Sequence, residues 1–184
     1  MIKLKKILTE TMHATPPAIV QSAHVFSSRF LEYIKSVENA SKIGYKNGKW
    51  FPHPAPEGGM PEIGYGHKIQ KGEESLFSKG LSDSEVSKLL SKDLDIAKKR
   101  VYNDIKSMFH VNIPLNEIQE EILTDYAFNL GTLKNYPKFV RAVLNKDWNT
   151  VKKEYVRSFK DAKGTTHTLA RNKTFFNTYL KNLK

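Results

Sequence analysis

Pro61-Glu62-Ile63-Gly64-Tyr65-Gly66-His67 holds two glycines around a tyrosine, with an apolar residue before them and a histidine after. Glycines so spaced mark a tight turn between short extended segments, because they adopt backbone angles closed to other residues. The run does not continue as a dinucleotide-binding loop: Gly64-Tyr65-Gly66 is followed by His67-Lys68-Ile69, not by a third glycine opening a helix. The surrounding segment, 43–69, has six glycines, three prolines before Gly58, and the short apolar runs Lys49-Trp50-Phe51 and Ile63-Gly64-Tyr65. It reads as short strands and turns forming a small lobe.

Outside this segment the pattern is helical. Upstream, Phe26, Phe30, Ile34 and Val37 recur at intervals of three and four, which predicts an amphipathic helix over Ile19–Val37, stopping near Glu38-Asn39. Downstream, Ser82-Asp83-Ser84-Glu85 is a capping box. The helix it opens runs to about Met108 on a stripe of Val86, Leu89, Leu90, Leu94, Ala97 and Val101, long enough to link two lobes. Leu115–Leu130 is a further helix with Gly131 as its C-terminal cap. Tyr136–Leu144, Asp147–Phe159 and Leu169–Leu180 also read as helical. No internal repeat or low-complexity block interrupts the series.

The 184 residues suffice for one domain with a real core. Cysteine is absent, which excludes a disulfide scaffold, a thiol nucleophile and a thiolate zinc site. No apolar run is long enough to span a membrane. Met1–Lys6 is basic, but Thr9, Glu10, Thr11, His13 and Thr15-Pro16-Pro17 break the apolar core that a secretory signal requires. Residues 1–15 are therefore expected to be a short tail. Residues 16–184 are expected to form a single domain: a small lobe over about 38–80, a linking helix over about 82–108, and a helical lobe over about 109–184 joined by the N-terminal helix. The net charge is +11, and thirteen of the Lys and Arg stand against three Asp and Glu in 134–184 alone. Such a chain seeks an anionic partner: nucleic acid, an acidic membrane surface or a cell-wall polymer. The basic residues of the C-terminal third are scattered over several helices and match no nucleic-acid motif, so no specific nucleic acid is expected.

Ionisable residues beside the glycine-rich turn are the candidates for chemistry. Glu38 ends an amphipathic helix just after Val37, on its core-facing side. A half-buried carboxyl there holds its proton more tightly than usual, which suits a general acid; the alternative is a solvated helix-end glutamate. The loop Pro52-His53-Pro54-Ala55-Pro56-Glu57 and the following Glu62 and His67 add two more carboxylates and two histidines. Convergence of His53, Glu57 and His67 on a metal is not expected, because the prolines forbid the helix that a His-Glu-x-x-His site needs. No metal or other cofactor is expected.

Ile63-Gly64-Tyr65-Gly66-His67 resembles a signature of the phage-type (T4-like) lysozymes and related endolysins. Four more features follow in that family's order: a helix ending in Val37-Glu38-Asn39, the Leu81–Val86 helix start, Ala127-Phe128-Asn129-Leu130-Gly131, and Thr168-Leu169-Ala170-Arg171-Asn172. The resemblance covers roughly residues 26–182. It implies an α+β, mostly helical, lysozyme-like fold: a small N-terminal lobe with a short β-hairpin region, and a larger helical lobe joined to it by a long helix. It also implies a glycoside hydrolase, a lysozyme, that cleaves the β-1,4 bond between N-acetylmuramic acid and N-acetylglucosamine in peptidoglycan. Such an endolysin acts as a monomer on the anionic bacterial envelope. It waits in the host cytoplasm until holin-type holes release it to the wall, or rides as a virion part.

The family's catalytic pattern is Glu, then Asp, then Thr before the signature. Glu38 matches the Glu. Glu62 stands in the Thr position, and counting back to the Asp gives Pro56. The second catalytic role then falls to Glu62, Glu57 or His53. Glycoside hydrolysis needs one group to protonate the leaving oxygen and another to orient water or attack carbon. Glu38 fits the first role, and Glu62 or Glu57 fits the second. The resemblance further implies that Arg171 pairs with Glu38 across the lobes. His67 is expected to anchor the hairpin rather than act on substrate; Phe128 and Asn129 are expected to line the cleft, with the core as the alternative for Phe128. A second reading is a lysozyme-fold protein with impaired catalysis that binds the wall or another polyanion.

Overall fold

The computed structural model describes residues 25–55, 58–160 and 164–184. The expected tail, and the first part of the helix read from Ile19, lie outside the described residues. Helix α1 is Ser28–Glu38, not a continuation from further upstream. Ser27 sets this start. Its hydroxyl accepts from the Phe30 N–H, while its own N–H and hydroxyl donate to Glu121 Oε1 at 3.0 and 2.5 Å. A boundary fixed by a glutamate 94 residues away leaves no local trace in sequence.

Asn39 ends α1 and folds the chain into two hairpins. Its amide donates to Ile43 O at 3.0 Å and Gly64 O at 2.7 Å, and its carbonyl accepts from Ile43 N–H. Strands β1 (Tyr45–Lys46) and β2 (Lys49–Trp50) pair antiparallel around Asn47-Gly48, both at positive φ, as a two-residue hairpin turn requires. Strands β3 (Glu62–Ile63) and β4 (His67–Lys68) pair around Gly64-Tyr65-Gly66, with Ile63 opposite His67 and Glu62 opposite Lys68. A short helix, α2 (Glu74–Phe77), follows. Trp50, Ile63, Ile69, Phe77 and Val86 form the small core between these pieces.

Helix α3 (Asp83–Phe109) carries the expected capping box: Ser82 accepts from the Glu85 N–H, and the Glu85 carboxylate accepts from the Ser82 N–H. Its 27 residues span about 40 Å. The first turn gives Val86 to the small core; Leu90, Leu94, Ala97, Val101 and Ile105 belong to the large one. Helix α4 (Glu117–Leu130) runs through the centre of that larger core, with nine consecutive buried residues from Gln119 to Ala127. Helices α5 (Pro137–Leu144) and α6 (Trp148–Glu154) cover it, with the Phe139 ring stacked on Tyr126 at 4.0 Å.

The helix expected over Asp147–Phe159 ends at Glu154. A hairpin follows instead: β5 (Ser158–Lys160) pairs antiparallel with β6 (Thr166–Thr168). Val151, Tyr155 and Phe159 stand at helical spacing, but Asn172 captures the backbone of Arg157 on both sides, taking its N–H and donating to its carbonyl. That pulls the chain out of the helix. The last stretch, expected as one helix over Leu169–Leu180, divides into α7 (Arg171–Phe175) and a π-helical turn, Phe176–Leu180. Among the described residues no helix is long and apolar enough to cross a membrane. The architecture is α+β and mostly helical, with small antiparallel strand pairs.

Candidate active site

Glu38 lies one helical turn beyond the fully buried Ile34, so it falls on the buried face of α1 at its very end. Its side chain is 19% exposed. The turn between β3 and β4 closes over it: a Cβ on Gly66 would sit 3.9 Å from Glu38 Oε2. Arg171, the first residue of α7, reaches it from the large lobe. Arg171 Nη1 donates to Glu38 Oε1 at 2.7 Å, and Nη2 donates to Asp125 Oδ1 at 2.6 Å.

Asp125, in α4, is completely buried. Its second oxygen lies 2.8 Å from Arg157 Nη1, an ionic contact without the alignment of a hydrogen bond. Arg157 is also buried. Its guanidinium lies over the Tyr126 ring at 4.3 Å and the Phe175 ring at 4.9 Å, which offsets the lack of hydrogen-bond partners at Nε and Nη2 among the described residues. Four ionisable groups thus form a chain: Glu38, Arg171, Asp125, Arg157. Burial raises the Glu38 pKa above the ordinary carboxylate range, and the Arg171 charge and hydrogen bond oppose the shift without cancelling it. A carboxyl that keeps its proton, beside a cation that will accept the resulting anion, can deliver a proton to a leaving group.

Glu62 lies in β3, next to Ile63, which faces the small core; neighbouring strand residues point to opposite faces, so Glu62 faces away from that core. Its backbone is paired with His53 on one side, each N–H donating to the other's carbonyl at 2.8 Å, and with Lys68 on the other. His53 packs against Gly44, and its Nδ1 lies 3.1 Å from Pro54 O. The strand pairing thus brings the His53 and Glu62 backbones together, and the packing of α1 against α7 in the large core brings Glu38 and Arg171 together. Glu57 and Pro56 lie outside the described residues.

His67 turns to the long helix. Its Nδ1 is 2.8 Å from Asp93 Oδ2, and Glu73 is 3.7 Å from Nε2. The bond to Asp93 raises its pKa against the opposing effect of burial. His67 therefore anchors the hairpin to α3. Phe128 packs, half-buried, against the large core. Asn129 Oδ1 accepts from Arg157 at a long 3.5 Å, which places it at the edge of the charge chain.

Asp125, Arg157, Asn172 and Asp93 escape a reading of the sequence. The one available signal was Asp125, a charge inside the apolar run Ile122-Leu123-Thr124-Asp125-Tyr126-Ala127, where an unpaired charge is too costly to keep.

Residues 47–174 match the phage lysozyme family. Among solved structures, the muramidase domain of SpmX from Asticaccaulis excentricus has a similar fold, with a TM-score of 0.55 over 85% of this chain and 98% of that one, at 23% sequence identity. No curated protein sequence matches the chain.

Proposed function

The chain belongs to the phage lysozyme family, and from that premise we propose that it is a muramidase, hydrolysing the β-1,4 bond between N-acetylmuramic acid and N-acetylglucosamine in peptidoglycan. The observation that carries this reading is the half-buried Glu38, its pKa raised, where the hairpin turn of the small lobe meets Arg171 of the large one.

Glu38 protonates the glycosidic oxygen as the bond breaks. The carboxylate left behind is already hydrogen-bonded to Arg171, so the charge that appears on Glu38 is met by a preorganised donor rather than by rearranging solvent. The second group comes from the hairpin region. Glu62 is our choice, because the β3 pairing on both sides fixes its position; Glu57 and His53 are the alternatives. A carboxyl separation of about 6.5–9.5 Å leaves room for water and gives inversion, whereas about 5–5.5 Å gives retention through a glycosyl-enzyme.

As an endolysin the protein would act as a monomer from the host cytoplasm once membrane holes open a path to the wall. Purified protein should clear a suspension of chloroform-treated Gram-negative cells, and Glu38→Gln should abolish clearing. Equal clearing by both would remove Glu38 from the acid role. No clearing by either would favour the second reading, a wall-binding protein, which the Pro56 at the family's Asp position supports. Glu62→Thr separates the partners: it abolishes clearing if Glu62 is the second group, and leaves or raises it if Glu57 or His53 is.

A further inference from the structure

Asp125 and Arg157 form an ion pair in the large core whose side chains are fully buried on both sides, the most buried among the described residues. Such a pair is weak evidence for stability, since apolar residues of similar size usually do as well or better. Its geometry points elsewhere. The two outer nitrogens of Arg171 divide between two carboxylates, Glu38 at 2.7 Å and Asp125 at 2.6 Å. Asp125 in turn divides between two guanidinium groups, Arg171 and Arg157. The next residue after Arg171 completes the bracket: Asn172 accepts from the Arg157 N–H at 3.1 Å and donates to the Arg157 carbonyl at 2.8 Å.

We propose that Asp125 and Arg157 are a positioning pair for the acid: they hold the Arg171 guanidinium so that it offers one nitrogen, not two, to Glu38. This inference rests on the muramidase reading for its catalytic meaning, but its structural content stands without it. A guanidinium free to present both outer nitrogens binds a carboxylate bidentately and holds it ionised. Glu38 would then lose its proton too early to act as an acid. With Asp125 taking the other nitrogen, the positive charge of Arg171 is shared, and Arg157 stands 2.8 Å from the second Asp125 oxygen. The charged groups that act on Glu38 are Arg171 from α7, Asp125 from α4 and Arg157 from the link between α6 and β5. From α1 itself comes the Tyr33 phenol, which burial keeps neutral.

The charge pattern predicts opposite effects from the two members. Asp125→Asn removes a negative charge and frees Arg171, so Glu38 should titrate at lower pH by at least roughly half a unit. Arg157→Gln removes a positive charge, so Glu38 should titrate higher. Loss of mere packing would not reverse sign between the two. The direct readout is a pH titration of the Glu38 carboxyl by NMR in protein labelled with carbon-13 glutamate, with Glu38→Gln assigning the signal. Because it uses no substrate, a wild type that fails to clear cells would sink the muramidase reading and leave this test intact. In an active protein, the alkaline limb of the kcat profile should follow the same two directions, with KM little changed. Shifts of the same sign, or none, overturn the proposal. Where one single variant does not fold, the sign of the other decides, and the double variant Asp125→Asn/Arg157→Gln should return Glu38 toward its wild-type titration.

Discussion

A carboxyl buried beside a cation is pulled in two directions, and Glu38 shows which wins: desolvation outweighs Arg171, and the net shift is upward. That balance lets it hold its proton more tightly than an ordinary glutamate, as an acid requires. Glu38 was visible in sequence because it extends an apolar helical stripe past its natural end, and Arg171 through resemblance. The rest of the charge chain was not, because Asp125, Arg157 and Arg171 are separated by 32 and 14 residues and meet only through packing. The turn that covers Glu38 depends on a second kind of residue. Gly64 has φ +67°, and a Cβ there would stand 2.5 Å from Val86 Cγ1. Its carbonyl also accepts from Asn39, the residue after Glu38. Gly64→Ala should therefore destabilise the protein by about 2 kcal/mol or more, through strain and overpacking. Thermal unfolding should show this as a fall in Tm of at least roughly 4 °C. An unchanged Tm would mean that the turn has room to shift, and that the seat of Glu38 is softer than described.

The small strand pairs were legible as a class and not as registers. The glycines around Tyr65 mark the turn between β3 and β4. Apolar spacing carries the helical reading through Ser158-Phe159, the start of β5, while the deciding contact, Asn172 on the Arg157 backbone, lies in another element. The second hairpin is also tied down electrostatically. His67 binds Asp93 of α3, and its pKa in the folded protein is raised above that of the unfolded chain. The sign follows: the folded state binds the proton more tightly, so the bond contributes fully below about pH 6.5 and is lost as pH rises through the higher, folded value. Tm measured from pH 5 to 9 should decline over that window in the wild type. In Asp93→Asn the decline should flatten, because the anchor is already absent at low pH. Parallel curves for the two proteins would remove this pair as the origin of the effect.

At the scale of the molecule, α3 carries residues of both cores, so the hairpin lobe with its turn over Glu38 and the helical lobe with Arg171 share one rigid element. The net charge of +11 lies mainly in the C-terminal third of the sequence, where Arg157 and Arg171 belong to the chain beside Glu38. The other basic residues there should speed encounter with an anionic wall rather than take part in chemistry. Raising ionic strength from about 0.01 to about 0.15 M shortens the Debye length from about 30 to about 8 Å. Clearing rates at low substrate should fall over that range, while hydrolysis of a short uncharged chitooligosaccharide, if it is accepted, should not. A rate on cells that ignores salt would separate the charge from wall encounter. The most direct measurement of the central claim is product analysis on purified peptidoglycan sacculi. The wild type should release fragments ending in reducing N-acetylmuramic acid, and Glu38→Gln, folded to the same Tm within a few degrees, should release none. Fragments of the same kind and amount from both proteins would contradict the account.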